Sequence, residues 1–201
     1  MNKQETIKRT SWLLFFLFAA TAMAVAQERT VGPVLSYKKT PSGITGKTAE
    51  AVFAVEAWSA NIIRVRISKE KTLNSFSYAL VSNETPSFSA QVTEKGSTIQ
   101  ISTGIIEVTV EKSPQLRIVF KNNKGELINE DMPGGDFSTV FNGNKVTAYK
   151  VLQEGERFVG LGEALGNLDR RGTGITLNNT DTYKYGDPRL AMYGSIPFYA
   201  G

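Results

Sequence analysis

Five stretches of this 201-residue chain alternate side-chain character at every second position, and that period leaves one kind of architecture open. Phe53, Val55 and Ala57 alternate with Val52, Ala54, Glu56 and Trp58, while Ile63, Val65 and Ile67 oppose Arg64, Arg66 and Ser68. Further along, Ile99 and Ile101 alternate with Thr98, Gln100 and Ser102, and Ile106, Val108 and Val110 with Glu107, Thr109 and Glu111. Leu116, Ile118 and Phe120 then oppose Arg117, Val119 and Lys121. Successive side chains of a strand point to opposite faces, so each stretch offers one face to a core and the other to water. From residue 27 onward Val, Ile and Thr total 42, against 11 Ala and 11 Leu. Such stiff β-branched side chains suit a pleated surface better than a helix. Turn formers punctuate the stretches at Pro41-Ser42-Gly43, Glu94-Lys95-Gly96-Ser97, Ser102-Thr103-Gly104, Lys112-Ser113-Pro114 and Asn122-Asn123-Lys124-Gly125. The fold class is all-β: an antiparallel β-sandwich of many short strands.

Residues 1–26 read as a signal peptide. Lys3, Lys8 and Arg9 give a basic start, Trp12 to Ala20 is an apolar run, and Ala24-Val25-Ala26 provides small residues for cleavage before Gln27. A membrane span needs about 20 apolar residues, so the run is too short to anchor the chain. Export to the periplasm or beyond is expected, with no membrane attachment after removal. The rest of the chain then carries 20 basic and 18 acidic residues, a net charge of +2, too weak to argue for nucleic acid.

Two zeros narrow the chemistry. With no Cys there is no disulfide framework, thiolate nucleophile or thiolate metal site, and with no His there is no Ser-His-Asp triad or imidazole ligand. Neither cofactor nor metal is expected. The domain layout reads as an extended amino-terminal segment over 27–50, the sandwich over 51–175, and a loop with a lead-in to further structure over 176–201. Composition shifts near Glu154: Gly155 to Gly201 holds 9 of the 18 glycines and four of the seven tyrosines, Tyr183, Tyr185, Tyr193 and Tyr199. On composition alone this reads first as a set of ordinary connections between the last strands, and a ligand-contact region is the second reading. The chain stops soon after the apolar Ile196-Pro197-Phe198-Tyr199, which reads as a cut made before a following domain.

Gly160-Leu161-Gly162-Glu163-Ala164-Leu165-Gly166 imitates a dinucleotide fingerprint but fails it, because Leu165 stands where the third glycine belongs and no helix pattern follows. Asp169-Arg170-Arg171-Gly172 suggests a local ion pair with a bend, in a positioning role. Glu154/Glu156 and Asp181/Asp187 have no spacing that makes a glycosidase dyad. In Asn178-Asn179-Thr180-Asp181, a carboxylate near Tyr183 and Tyr185 combines an acceptor for sugar hydroxyls with aromatic faces for sugar C–H groups. The same residue types are common turn formers.

Four motifs in order, Arg157-Phe158-Val159-Gly160-Leu161-Gly162-Glu163, Leu168-Asp169-Arg170-Arg171-Gly172, Asn179-Thr180-Asp181-Thr182-Tyr183 and Tyr193-Gly194-Ser195-Ile196-Pro197-Phe198, together resemble the amino-terminal domain of glycoside hydrolase family 31. Asn61 to Ile67 is similar to an earlier strand of that domain, and the resemblance covers about 50–201. It implies a sandwich of galactose-mutarotase-like type, followed in the family by a (β/α)8 barrel that carries two catalytic aspartates and hydrolyses α-glucosides or α-xylosides with retention. By that resemblance this chain holds no catalytic residue. Asp181 is the substrate contact, Tyr183 and Tyr185 line the same pocket, and the partners are an α-linked sugar or oligosaccharide and the barrel of the same polypeptide. Asn178 stands where the family often has an aromatic residue. A stand-alone secreted sugar-binding module, or a purely structural domain that docks a barrel, are the other readings of the same residues.

Overall fold

The computed structural model describes residues 28–74, 76, 87–135, 137–181 and 191–201, with side chains from 193 in the last stretch. The signal-peptide residues, Tyr183 and Tyr185 lie outside these. Every regular element among the described residues is a strand, and all pairings between strands are antiparallel. The chain divides into two compact units, one up to Val151 and one over Leu152–Gly201.

In the first unit, β1 (Arg29–Thr30) is followed by β2 (Val34–Thr40), β3 (Gly43–Thr48), β4 (Val52–Ser59) and β5 (Ile62–Ser68). The last four form a sheet in sequence order. A second sheet runs β10-β9-β8-β7-β6, from β6 (Gln91–Lys95), β7 (Thr98–Ser102), β8 (Ile106–Glu111), β9 (Arg117–Asn122) and β10 (Leu127–Glu130). In both sheets neighbours in sequence are neighbours in space, so short turns close every hairpin. A small sheet of β1, β11 (Thr139–Asn142) and β12 (Lys145–Ala148) completes the unit. Within 28–50, β2 and β3 pair with each other and β3 with β4, so this segment supplies two strands of the four-stranded sheet.

The core is the meeting of two inner faces. Ile44, Phe53 and Val55 from one sheet pack with Ile99, Ile101, Val108, Val110, Leu116 and Ile118 from the other, and Val31 and Phe141 join from the small sheet's end. Each of these is essentially fully buried. The alternation therefore places Ile99, Ile101, Val108, Val110, Leu116 and Ile118 in the core, with Ile106 and Phe120 half-buried against it. Val65 differs. Register puts it opposite Val55 on the inner face, yet it is 36% exposed, because β5 has no neighbour on its other side among the described residues.

Polar contacts lock the sheets together where the core ends. The Tyr37 hydroxyl on β2 and the Lys112 ammonium beyond β8 both donate to the Glu94 carboxylate on β6. Those donors hold Glu94 below the usual carboxylate range, Lys112 contributing most, and the bond to Glu94 is also the main cause that pushes the Tyr37 phenol up. On the outer face of the four-stranded sheet, Arg66 pairs with the largely buried Glu56 at 2.8 Å.

Candidate functional site

The second unit is built on β13 (Val159–Ala164) and β14 (Ala191–Ala200), an antiparallel pair with two bulges. The register shifts between Gly160 and Gly162 and again between Gly162 and Ala164, each time with the extra residues on β14, and the first shift gives the Gly160-Leu161-Gly162 motif its physical meaning. All three residues have positive φ, 120°, 71° and 82° in turn. A Cβ on Gly162 would lie 2.2 Å from the Gly194 carbonyl oxygen, and one on Gly160 would lie 2.6 Å from that of Phe198. Only glycine lets the two backbones approach this closely. Leu161 holds the left-handed backbone between them despite its side chain, a conformation that costs of order 1–3 kcal/mol and persists only under surrounding constraint.

Asp169-Arg170-Arg171-Gly172 supplies part of that constraint, in a way its sequence does not show. Asp169 forms its ion pair with Arg157, 2.8 Å away, not with either adjacent arginine. Its other oxygen accepts the N–H groups of Arg171 at 3.0 Å and Phe158 at 3.2 Å. Arg170 donates to the carbonyls of Leu165 and Ala164, each at 2.9 Å, and Arg171 reaches the carbonyl of Gln153 at the same distance. The expected positioning role is thus carried out by three side chains that bind backbone on both flanks of β13. The N–H donors, with Arg171's first, hold the Asp169 carboxyl below its ordinary value of 3.8. A folded-state value below the unfolded one gives stability that is present above pH 3.8 and lost as pH falls through the depressed value. An acid titration followed on the Phe158 and Arg171 amide signals should therefore have a midpoint below 3.8, and Asp169→Asn should abolish the transition. A midpoint at or above 3.8 would contradict the clamp.

Asn179 ties the expected site segment to this ribbon. Its side-chain oxygen accepts the backbone N–H of Ser195 on β14 at 2.9 Å. Asp181 follows two residues later, exposed to solvent, with no hydrogen-bond or ionic partner among the described residues. Near the ribbon's end Phe158 and Tyr199 meet edge to face at 5.4 Å, while Tyr193 is 53% exposed. Of the other candidate carboxylates, Glu156 accepts the N–H of Gln153 at 2.9 Å, and Asp187 lies outside the described residues. No three carboxylates converge on a possible metal position among the described residues. The anchoring roles of Asn179 and Arg157 went unseen in the sequence. Asn179 carried a signal, since Asn side chains favour backbone N–H groups, but its partner is 16 residues away.

The antiparallel sandwich of the first unit and the family profile agree on the galactose-mutarotase-like β-sandwich class. The profile of the glycosyl hydrolase 31 N-terminal galactose mutarotase-like domain matches residues 52–201, and the chain belongs to that family. A curated relative, alpha-glucosidase 2 of Bacillus thermoamyloliquefaciens, is 27% identical over 150 residues, or 74% of this chain and 19% of the relative. The chain thus spans about a fifth of that relative's length. A family 31 dextranase of Flavobacterium johnsoniae, solved with isomaltotriose, superposes with a TM-score of 0.74 at 24% identity, over 85% of this chain and 21% of that one. An α-xylosidase from a soil metagenome, solved with xylose, gives 0.65 at 21% identity, over 82% and 26%.

Proposed function

We propose that this domain is the substrate-positioning lip of an exported, retaining α-glycosidase, with Asp181 reaching hydroxyls of the sugar whose bond is cleaved. The observation that carries this is an exposed carboxylate, without a partner among the described residues, on a segment that Asn179 fastens to β14. An ionised carboxylate only accepts hydrogen bonds, and one that has none of its own is free to take two from adjacent sugar hydroxyls. Such bonds orient the ring and strengthen as positive charge develops at the anomeric carbon. Tyr183 and Tyr185 would offer aromatic faces to the same ring. The nucleophile and the acid/base come from a (β/α)8 barrel elsewhere in the enzyme, and the first 26 residues direct export to the periplasm or outside the cell. Family membership and the sugars bound to the dextranase and the α-xylosidase favour an α-linked saccharide.

In the enzyme that carries this domain, Asp181→Ala should lower kcat/KM by at least about tenfold, or 1.4 kcal/mol. Asp181→Asn, which keeps one acceptor oxygen, should fall between the two. A loss under twofold for the alanine variant would reduce the segment to scaffolding.

A further inference from the structure

The outer face of the four-stranded sheet, in the first unit, carries a cleft whose floor follows from register. Tyr37, Gly46 and Phe53 form one cross-strand row, and Phe53 and Tyr37 pack toward the core, so that row points inward. Alternation sends the flanking rows outward: Ser36, Lys47 and Val52 on one side, Lys38, Thr45 and Ala54 on the other. The chain after β5 returns across this face, where Arg66, opposite Ala54 in register, donates to the Asn74 carbonyl at 3.4 Å. Lys71 and Leu73 from that returning segment complete a cleft of about 290 Å³.

The lining is of one sign. Lys38, Lys47 and Lys71 all border the cleft, no carboxylate does, and none of the three lysines is ion-paired among the described residues. Like charges around one concavity repel each other and focus a positive potential into it, so an anion that enters relieves the repulsion. Ser36 and Thr45 add hydroxyls, while Val52 and Leu73 add apolar wall. The volume lies at the lower end of small-molecule sites, roughly 300 Å³ and upward, which gives room for an organic anion with a body and not merely a bare oxyanion. We propose that this cleft binds an acidic saccharide, with the lysines on a uronate carboxylate, the hydroxyls on ring oxygens and the apolar wall on ring C–H groups. The choice of a saccharide over other organic anions rests on the sugar-handling reading above.

The test is calorimetric titration of the purified chain with trigalacturonate, maltotriose and inorganic phosphate at matched ionic strength. Trigalacturonate should bind at least tenfold more tightly than either of the others. Replacing Lys38, Lys47 and Lys71 together by Gln should weaken it at least tenfold, and Lys47→Glu alone should also weaken it. The exposed set Lys121, Lys124 and Lys145→Gln, outside the four-stranded sheet, should change it less than twofold. Equal affinity for maltotriose, equal affinity for phosphate, or an equal loss in that second lysine set would each overturn the proposal. Because Asp181→Ala reads out in kcat/KM and the lysine variants in binding to the chain itself, failure of one reading leaves the other standing.

Discussion

Phe53→Ala should lower the unfolding free energy by about 3–5 kcal/mol, the range for removing a fully buried aromatic ring. Phe53 has no exposed surface and lies in the cluster that joins the two large sheets. Its ring is seated by an absence: a Cβ on Gly46, the residue opposite in register, would come within 2.6 Å of two ring carbons. Alanine would leave a cavity lined by β-branched side chains that cannot swing in, since their χ1 angles are fixed by the strand. Domains of this kind retain only about 5–15 kcal/mol in total, so one ring represents a large share. With no disulfide in the chain, the core has no covalent support to fall back on. Urea unfolding should show a midpoint moved to lower concentration with an unchanged slope. A loss below about 1 kcal/mol would mean that the two sheets do not share this core, against the burial that defines the sandwich.

How much of this was legible in the sequence depended on where each residue's partner lies along the chain. Ile99 and Ile101, Val108 and Val110, and Leu116 and Ile118 belong to strands that pair with their neighbours in sequence, so the local period alone decides which side chains face inward. The pattern was silent where a covering element comes from elsewhere. Ala54 and Glu56 sit on the outward side of β4 yet are buried, and no period in β4 records what overlies them. β2 was obscure for the opposite reason. Its apolar Leu35 is 68% exposed, so VLSYKKT shows no clean alternation although it is a paired strand. In the second unit, motif order exposed the family while chemistry by adjacency misled. Asp169 lies beside two arginines but pairs with Arg157, because an ion pair needs side chains that converge in space and successive residues diverge. The tether from Asn179 to Ser195 was hidden for the same reason.

That tether makes Gly162→Ala the sharpest test of how the backbone serves the site. Gly162 stands opposite Ser195 in the β13–β14 register, and Ser195 is the residue whose N–H holds Asn179. A methyl group at Gly162 would overlap the Gly194 carbonyl oxygen, 2.2 Å away, and the Ser195–Ile196 link, whose Ile196 nitrogen lies at 2.8 Å. Neither is the free end of a side chain, so β14 itself must move. The left-handed backbone at φ 82° adds roughly 1–3 kcal/mol for any non-glycine residue. The expected result is faster amide exchange along β13 and β14, and in the full enzyme a fall in kcat/KM at least as large as that of Asp181→Ala. Gly174→Ala is the matched control, since nothing lies within 4 Å of its Cβ position and its backbone is not left-handed. It should change neither quantity appreciably. If Gly162→Ala loosened the ribbon yet left kcat/KM intact, then Asn179 would not be what holds Asp181 in place, and the sugar contact would have to be positioned by something other than this pair of strands.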